Sequence, residues 1–505
     1  MQTDWTIYSA LLGAAVAMML PRDARGLIRA VALLTGLVGL AVALVDYFHY
    51  DRIVHTLIAE TGSGMVWLRD RPWIDALHSR YHLAVDGISL PLIVLNGFVC
   101  VTGILFSWNI EHRTKEFFAF FLVLIAGVYG VFMAMDLFLL FVFYELAIIP
   151  KYFIIAIWGS TRKEYGAMKL VLYSFLGSAL VFIAILAAYF AAGGQTFNLL
   201  ELARHPLARD TQIWIFLLAF VGFAVLAGMW PFHTWAPTGH VAAPTAASML
   251  LAGVVMKLGA YGCLRASMML FPAGLDYWKW WLAGLAIVGI LYGAAVALVQ
   301  KDFKFIIGYS SVSHMGFVLL GLVTLNVLGV SGAVLQMFSH GIVASLLFAV
   351  VGRMVYDRTH TRQLDELGGL RKAIPFACVT FVIGGAASMG MPGFSGFVAE
   401  IQVLMGAFVM SPWLALGAAL SIPITVAYIL NANNKVFMER DDDGGHHAAD
   451  DHGHGTGHDL PPITWPEKIA AVVLMALLVI VGVYPSIMMN MIKPNVELFL
   501  RGLRG

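Results

Sequence analysis

Long apolar runs alternate with short polar stretches along almost the whole chain. An α-helix needs roughly 20 mainly apolar residues to cross the hydrocarbon core of a bilayer. Runs of about that length cover residues 5–20, 27–48, 87–108, 117–135, 137–158, 167–192, 212–233, 243–270, 278–299, 305–325, 328–351, 374–408, 412–437 and 467–490. The pattern predicts an all-α, polytopic membrane protein with about 14 transmembrane helices.

Composition leads to the same conclusion. Of the 505 residues, 60% are hydrophobic and only 12% are charged, whereas soluble domains are about half apolar and a quarter charged. So few charges cannot cover a soluble surface of this size, so we expect the lipid bilayer to surround most of the chain. The net charge of +1 gives no indication of a nucleic-acid partner.

The cysteines and the short motifs bound the chemistry. Cys100, Cys263 and Cys378 lie singly in apolar runs with no C-x-x-C spacing, which favours small core residues and argues against iron–sulfur ligands. No P-loop, dinucleotide fingerprint or H-E-x-x-H motif is found. The first residues lack the basic start of a signal peptide. We therefore expect no cofactor or metal site in this chain and a first helix that is retained.

Cations mark one side of the predicted bundle. Short loops with excess Lys and Arg face the cytoplasm. The odd-numbered loops hold Arg22, Arg25 and Arg29, then Arg113 and Lys115, Arg162 and Lys163, Lys301 and Lys304, and finally Arg358, Arg362, Arg371 and Lys372. With an even number of helices, this pattern predicts a bacterial inner (cytoplasmic) membrane protein with both termini on the periplasmic side.

Two predicted helices, the seventh and the twelfth, are interrupted. Residues 228–239 contain Pro231 and Pro237, and residues 384–396 contain Pro392 among several glycines. Proline removes a backbone donor, and transporters often carry such breaks as a pair in two inverted repeats with the ion site between them. A simple kink is the alternative for either break alone. Their spacing predicts two inverted five-helix repeats, helices 4–8 and 9–13.

This interpretation divides the chain into five parts. Residues 1–115 form helices 1–3 with an external loop, 116–272 the first repeat and 273–438 the second, inverted repeat. Residues 439–464 form a His/Asp-rich cytoplasmic loop, and 465–505 the last helix and tail. The Gly, Asp and His content of the loop 439–464 favours a solvated linker, with weak metal binding as the alternative.

Ionisable residues inside the apolar runs are the candidate functional residues. A charge at the bilayer centre costs about 2.5–3.5 kcal/mol on insertion scales, so Glu145 and Lys257 indicate function rather than packing. The other candidates are His233, His314, His340 and Glu400. A lone buried histidine is also compatible with a hydrogen-bonded core residue. Dehydrated groups that interact exchange protons as a coupled set.

The sequence around these residues closely resembles that of one protein family. The matching stretches are residues 86–89 (DGIS), 143–150 (FYELAIIP), 230–235 (WPFHTW), 243–262 (APTAASMLLAGVVMKLGAYG), 309–316 (YSSVSHMG), 336–341 (QMFSHG) and 391–400 (MPGFSGFVAE). They resemble the proton-translocating, antiporter-like subunit M (mitochondrial subunit 4) type of NADH:quinone oxidoreductase, respiratory complex I. The resemblance covers roughly residues 84–440.

The resemblance implies roles as well as the fold. It implies a central hydrophilic axis joining one half-channel in each repeat. Glu145 would be the acid of helix five, Lys257 the central lysine of helix eight, and Glu400 the terminal acid of helix twelve, with His314 and His340 as the relay of the second repeat. NADH oxidation, FMN, iron–sulfur clusters and quinone would belong to partner subunits, among them further antiporter-like subunits.

One departure from the family concerns the first repeat. The family usually has a lysine in helix seven, as the partner of Glu145, where this chain has Leu226. Thr238 and Ala242 also stand where acidic residues are common. We hypothesise that Lys151, six residues after Glu145 and just past Pro150, replaces that lysine. The alternative is that Lys151 extends to the cytoplasmic surface.

The sequence thus predicts a proton-translocating subunit of a complex I-like enzyme, with Glu145, Lys151, Lys257, His314, His340, Glu400 and His233 as the proton relay. The chain would be part of an enzyme without holding a redox centre. Two alternatives remain open. One is a subunit of a multisubunit cation/proton antiporter or of a membrane-bound hydrogenase. The other is a scaffold whose pathway was lost with the change at Leu226.

Overall fold

The computed structural model describes residues 1–205, 207–438 and 460–503. The helices in these ranges are α1 (Trp5–Met19), α2 (Arg25–Thr61), α3 (Ser89–Phe106), α4 (Thr114–Met133), α5 (Leu137–Trp158), α6 (Lys163–Ala191), α7 (Leu199–Arg204), α8 (Arg209–Ala227), α9 (Trp235–Ala242), α10 (Thr245–Met268), α11 (Pro272–Val299), α12 (Phe303–Val323), α13 (Val327–Thr359), α14 (Leu370–Ala373), α15 (Pro375–Ser388), α16 (Ser395–Met410), α17 (Pro412–Met438), α18 (Trp465–Val483) and α19 (Ser486–Gly502). Strands β1 (Val66–Ile74) and β2 (Ser79–Val85) form an antiparallel hairpin. Most of the His/Asp-rich loop, residues 439–459, lies outside the described residues.

Twelve helices in the described ranges are long and apolar enough to cross a membrane. The first and the twelfth predicted spans correspond to shorter apolar helices, α1 and the pair α15 and α16. A multi-pass membrane protein is therefore confirmed, while the exact count of fourteen spans stays a prediction.

Polar caps and prolines determine where many of these helices begin. The Asp136 carboxylate accepts a hydrogen bond from Leu139 N at 2.9 Å, and the Asn326 side chain accepts one from Gly329 N at 2.9 Å. Thr464 and Glu467 form a capping box at the start of α18. Such side chains satisfy the first backbone donors of a helix, which have no partner within it. Helices α11, α15 and α17 instead begin with proline, which has no N–H group to satisfy.

Both predicted interruptions are present. α8 ends at Ala227 and is followed by Gly228 with φ +81°, and α15 is followed by Gly390 with φ +67°. The backbone groups at each break find partners inside the bundle: Trp235 Nε1 donates to Val225 O at 2.8 Å, and Met391 N donates to Ala386 O at 3.0 Å. This pairing matters because an unsatisfied backbone group costs several kcal/mol at membrane depth.

Two matched details are consistent with an internal repeat. Asp136 caps α5 and forms an isolated β-bridge with Asn198, and Asp302 caps α12 and forms an isolated β-bridge with Gln363. The two helices occupy the same place, second, in the predicted repeats 116–272 and 273–438. These contacts do not test where either repeat begins or ends, so the boundaries stay a prediction.

The segment between the second and third spans differs from the predicted loop at 49–86. α2 continues to Thr61, far beyond the expected end near residue 48, and the β1–β2 hairpin follows. Long-range contacts order this segment. Tyr50 OH donates to Gly64 O at 2.6 Å, Arg69 Nε lies 2.9 Å from Asp4 Oδ2, and Arg80 N donates to Asp136 Oδ2 at 2.9 Å.

The end of the chain also differs from the prediction. The last span ends at Val483 rather than near residue 490, and α19 follows as a separate amphipathic helix. Its buried side includes Met491 and Asn495, and Asn495 Nδ2 donates to Tyr50 OH at 2.9 Å. α19 therefore packs against α2 rather than crossing the membrane as part of the last span.

Candidate functional site

Lys257 lies in the middle of α10, on a stretch of regular helix between two π-helical segments, Leu251–Val255 and Cys263–Met268. π-Helical turns are rare and occur frequently at functional sites. The side chain is fully buried. Its Nζ hydrogen-bonds to Ala252 O within the first π segment and lies 2.9 Å from His340 Nδ1. Lys257, in the first half of the chain (the predicted repeat 116–272), thus makes direct contact with α13 in the second half (the predicted repeat 273–438).

His340 begins a line of ionisable groups through the second half. The imidazole rings of His340 and His314 are 5.4 Å apart between centroids. His314 Nδ1 lies 3.0 Å from Glu400 Oε1, within ion-pair distance, and His314 Nε2 lies 3.1 Å from Ser388 Oγ. All of these groups are buried. The structure therefore brings together four of the predicted residues: Lys257, His340, His314 and Glu400.

Polar side chains line the space around this relay. Gln336 Nε2 donates to Glu400 Oε1 at 3.3 Å, and the Ser339 and Ser395 hydroxyls are 2.7 Å apart. A cavity of about 10 Å³ lies among His314, His340, Glu400, Gln336 and Ser339. That volume is about what one water molecule requires. Water at this point would connect the two imidazole rings, which do not hydrogen-bond to each other directly.

Glu145 and Lys151 form a second group, on α5. Lys151 is 1% exposed, which excludes the alternative that it extends to the surface. Lys151 Nζ and Glu145 Oε1 are buried without hydrogen-bond partners in the described part of the chain, and the two groups interact electrostatically. The site at Leu226 on α8 is also buried. No hydrogen bond or ion pair among the described residues joins this group to Lys257.

His233, at the first break, is not part of the line. Its ring is buried beside Tyr292, with centroids 5.1 Å apart, and neither ring nitrogen hydrogen-bonds within the described ranges. Its electrostatic neighbour is Lys169, whose Nζ lies 3.3 Å from Thr238 Oγ1. The structure therefore places His233 apart from the other predicted relay residues.

His240 was missed by the sequence reasoning. It lies fully buried in α9 and interacts electrostatically with Lys257 and Lys304. Lys304 Nζ donates to Ala243 O at 2.9 Å and lines a cavity of about 200 Å³ with Asp357. The His240 ring lies 4.9 Å from that of Phe348 between centroids, and neither of its nitrogens has a hydrogen-bond partner among the described residues. The available signal was a histidine in an apolar stretch, four residues before Pro244.

A buried ion pair outside the predicted set connects α3 with α10. Arg265 pairs with Asp86, which also accepts hydrogen bonds from Ile88 N at 3.0 Å and Ser89 N at 2.9 Å at the start of α3. Arg265 Nε donates to Tyr261 OH at 3.3 Å. This pair holds α10, which carries Lys257, against the N-terminal helices.

A multi-pass bundle with paired breaks and a buried line of ionisable groups defines a class of membrane proteins that move ions. The family described as NADH:quinone oxidoreductase/Mrp antiporter, transmembrane part, matches residues 134–425. The match covers more than half of the chain, and the chain belongs to this family.

Individual relatives agree with the family. The chain is 40% identical to NADH-quinone oxidoreductase subunit M of Rhodobacter capsulatus, over 86% of this chain and 84% of that protein. It is 37% identical to NAD(P)H-quinone oxidoreductase chain 4 of Synechococcus elongatus, over 86% of this chain and 82% of that protein. The predicted subunit M type is thereby confirmed.

Solved structures support the fold. A chain of respiratory complex I from Thermus thermophilus matches over 100% of both chains with a TM-score of 0.87 and 28% identity. The Mrp complex from a Dietzia species matches with a TM-score of 0.77 over 98% of this chain and 100% of that chain. At 20% identity the second match shows the fold alone.

Proposed function

We propose that this chain is a proton-translocating membrane-arm subunit of an NADH:quinone oxidoreductase-like complex. The observation that carries the proposal is the buried contact of Lys257 with His340, continued through His314 to Glu400. FMN, iron–sulfur clusters and quinone would reside in partner subunits, including other antiporter-like subunits. The complex would lie in a bacterial inner membrane, with both termini of this chain on the periplasmic side.

In this proposal protons move between groups that both donate and accept. A protonated Lys257 donates to His340 Nδ1, and a neutral imidazole accepts at one nitrogen while it donates from the other. The water-sized cavity connects His340 to His314, and His314 delivers the proton to Glu400 Oε1. Because the groups interact, protonation of one changes the energy of the next.

Protons would reach Lys257 from the side of the cationic loops. The cavity beside Lys304 opens there, and the buried His240, which both Lys304 and the central lysine influence electrostatically, would carry protons from one to the other. The Glu145–Lys151 group would set the charge state of the relay from the first half. Quinone reduction in another subunit would act on the relay by favouring one arrangement of the helix bundle over another, as allosteric coupling requires.

The function is tested on the purified native complex in proteoliposomes. NADH and quinone should produce an uncoupler-sensitive proton gradient, and flavin and iron–sulfur subunits should copurify. Proton movement driven by an imposed Na⁺ gradient without NADH, with no flavin subunit present, would instead indicate a cation/proton antiporter. Hydrogen-dependent pumping would indicate a hydrogenase complex.

Gly390 offers a test of the relay's terminal acid. Its φ of +67° strains any residue with a Cβ, and a Cβ there would lie 2.9 Å from Glu400 Oε2. Gly390→Ala should cost about 1–2 kcal/mol of stability and displace the Glu400 carboxylate. We expect proton pumping to fall severalfold in the assembled complex.

Gly284→Ala in α11 is the matched control, because a Cβ there meets nothing within 4 Å. It should leave pumping and thermal stability unchanged. Full pumping by the Gly390→Ala complex would show that the position of Glu400 is not critical.

A further inference from the structure

A surface cavity of about 530 Å³ lies at the cationic-loop ends of α1, α2 and α4, away from the relay. Its lining includes four cationic side chains and three acidic ones: Arg22, Arg25, Arg113 and Lys115, with Asp23, Glu111 and Glu116. The excess of one positive charge favours an anionic ligand.

Two helix N-termini reach the same cavity. α2 begins at Arg25 and α4 begins at Thr114, and both residues line the cavity. The first backbone N–H groups of a helix have no intrahelical partner, and the helix dipole adds positive potential there. This combination is suited to phosphate groups.

The cations of the cavity are only loosely engaged. Arg22 and Arg113 lie 3.8 and 3.7 Å from the same oxygen of Glu116, and Arg25 lies 3.3 Å from Glu111. The side chains of Arg22, Arg25 and Arg113 are 80%, 48% and 47% exposed, so water screens these long contacts, whereas an arginine fork on a phosphate makes short, bidentate hydrogen bonds. Arg25 and Arg113 are therefore free to turn toward a phosphate.

An apolar groove of about 370 Å³ adjoins the cavity and shares Glu116 with it. The groove runs between α1 and α4, where the small side chains of Ala14, Ala15 and Ala119 leave room beside the exposed Leu11 and Met18. Its direction is along two membrane-spanning segments, so its contents face the acyl region of the bilayer.

We propose that this surface binds one anionic glycerophospholipid from the leaflet next to the cationic loops. The phosphodiester would lie in the cavity against the N-termini of α2 and α4, and one acyl chain would fill the groove. Basic pockets between membrane helices bind anionic head groups in this way. Glu116 Oε2, buried without a partner in the described residues, would accept a hydrogen bond from a glycerol head-group hydroxyl. Arg22, which lies 3.8 Å from the other oxygen of Glu116, would stay there and offset its charge.

The test uses the purified complex, delipidated and supplied with phosphatidylglycerol that carries a photoreactive acyl chain. Cross-linked lipid should map to α1 and α4 peptides by mass spectrometry. Arg25→Gln with Arg113→Gln should lower this labelling about tenfold, because each cation contributes to binding an anionic head group. Ala15→Trp should lower it by filling the groove.

Arg209→Gln with Lys279→Gln, on two other helices, is the control pair and should leave the labelling unchanged. Equal labelling by photoreactive phosphatidylcholine, or no effect of the paired arginine substitution, would overturn the proposal. So would complete displacement of the lipid by glycerol phosphate, which would show a soluble-phosphate site without the groove. Cross-linking of α1 and α4 to another subunit in place of lipid would also overturn it.

Discussion

Lys257→Met is expected to abolish proton pumping while the complex still assembles. The ammonium group is the point where α10 meets the second-half relay, with Nζ 2.9 Å from His340 Nδ1. Positioned proton donors and acceptors contribute about 10²–10⁴-fold to a transfer step. Methionine fills much of the same volume without a proton to give, so we expect pumping to fall by about 100-fold or more.

A lysine-to-arginine change separates proton exchange from a purely structural charge. Arginine stays protonated under all ordinary conditions, so Lys257→Arg keeps the positive charge but cannot release a proton. The relay predicts that Lys257→Arg fails like Lys257→Met, whereas a structural charge predicts that it works. Lys301→Met, at a site where the side chain is 79% exposed, is the control and should pump normally.

The measurement is NADH-driven acidification in proteoliposomes, with assembly followed on native gels and quinone reduction measured in parallel. Unchanged pumping by a fully assembled Lys257→Met complex would favour the scaffold alternative.

The features that sequence reasoning found depend on local signals. A proline beside glycines breaks a helix wherever it occurs in an apolar run, so the breaks at Pro231 and Pro392 were predictable from the sequence. A charge in such a run is conspicuous in the same way, which singled out Lys257 and Glu400. Their proximity through His340 and His314 followed from the family resemblance rather than from the pattern.

The features that sequence reasoning missed depend on contacts between residues that are distant in the sequence. Arg265 and Asp86 are separated by 179 residues, and neither predicts the other. The extension of α2 and the hairpin after it are ordered by Asp4 and Asn495, at opposite ends of the chain. His240 has the sequence context of an ordinary core histidine, and only the fold reveals its electrostatic interaction with Lys257.

Lys151→Leu is expected to disable pumping, and a second change, Leu226→Lys, is expected to restore it. Tyr144 on α5 packs against Phe223 on α8, with ring centroids 5.6 Å apart, which aligns the two helices. α5 and α8 are the fifth and the seventh predicted transmembrane spans, so the two helices run in the same direction across the membrane. Lys151 lies about 10 Å beyond Tyr144 along α5, and Leu226 lies about 4.5 Å beyond Phe223 along α8.

The length of the lysine side chain compensates for this difference in height between Lys151 and Leu226. Long helical side chains lean back toward the N-terminus by about one turn, so we expect Lys151 Nζ at the level of Leu226. The amine that the family places on helix seven would then reach the same depth from helix five. Since it interacts with Glu145, its loss should weaken the coupling of the first half by about 5–150-fold.

The swap distinguishes this replacement from a general need for a buried charge. Leu226→Lys alone should lower pumping, because two ammonium groups then compete for one acid. In the double variant only one remains, and pumping should return toward the native rate. Lys163→Leu, at the start of α6, is the matched control. If the double variant assembles but stays as inactive as Lys151→Leu, or if Lys151→Leu pumps fully, Lys151 does not replace the missing lysine.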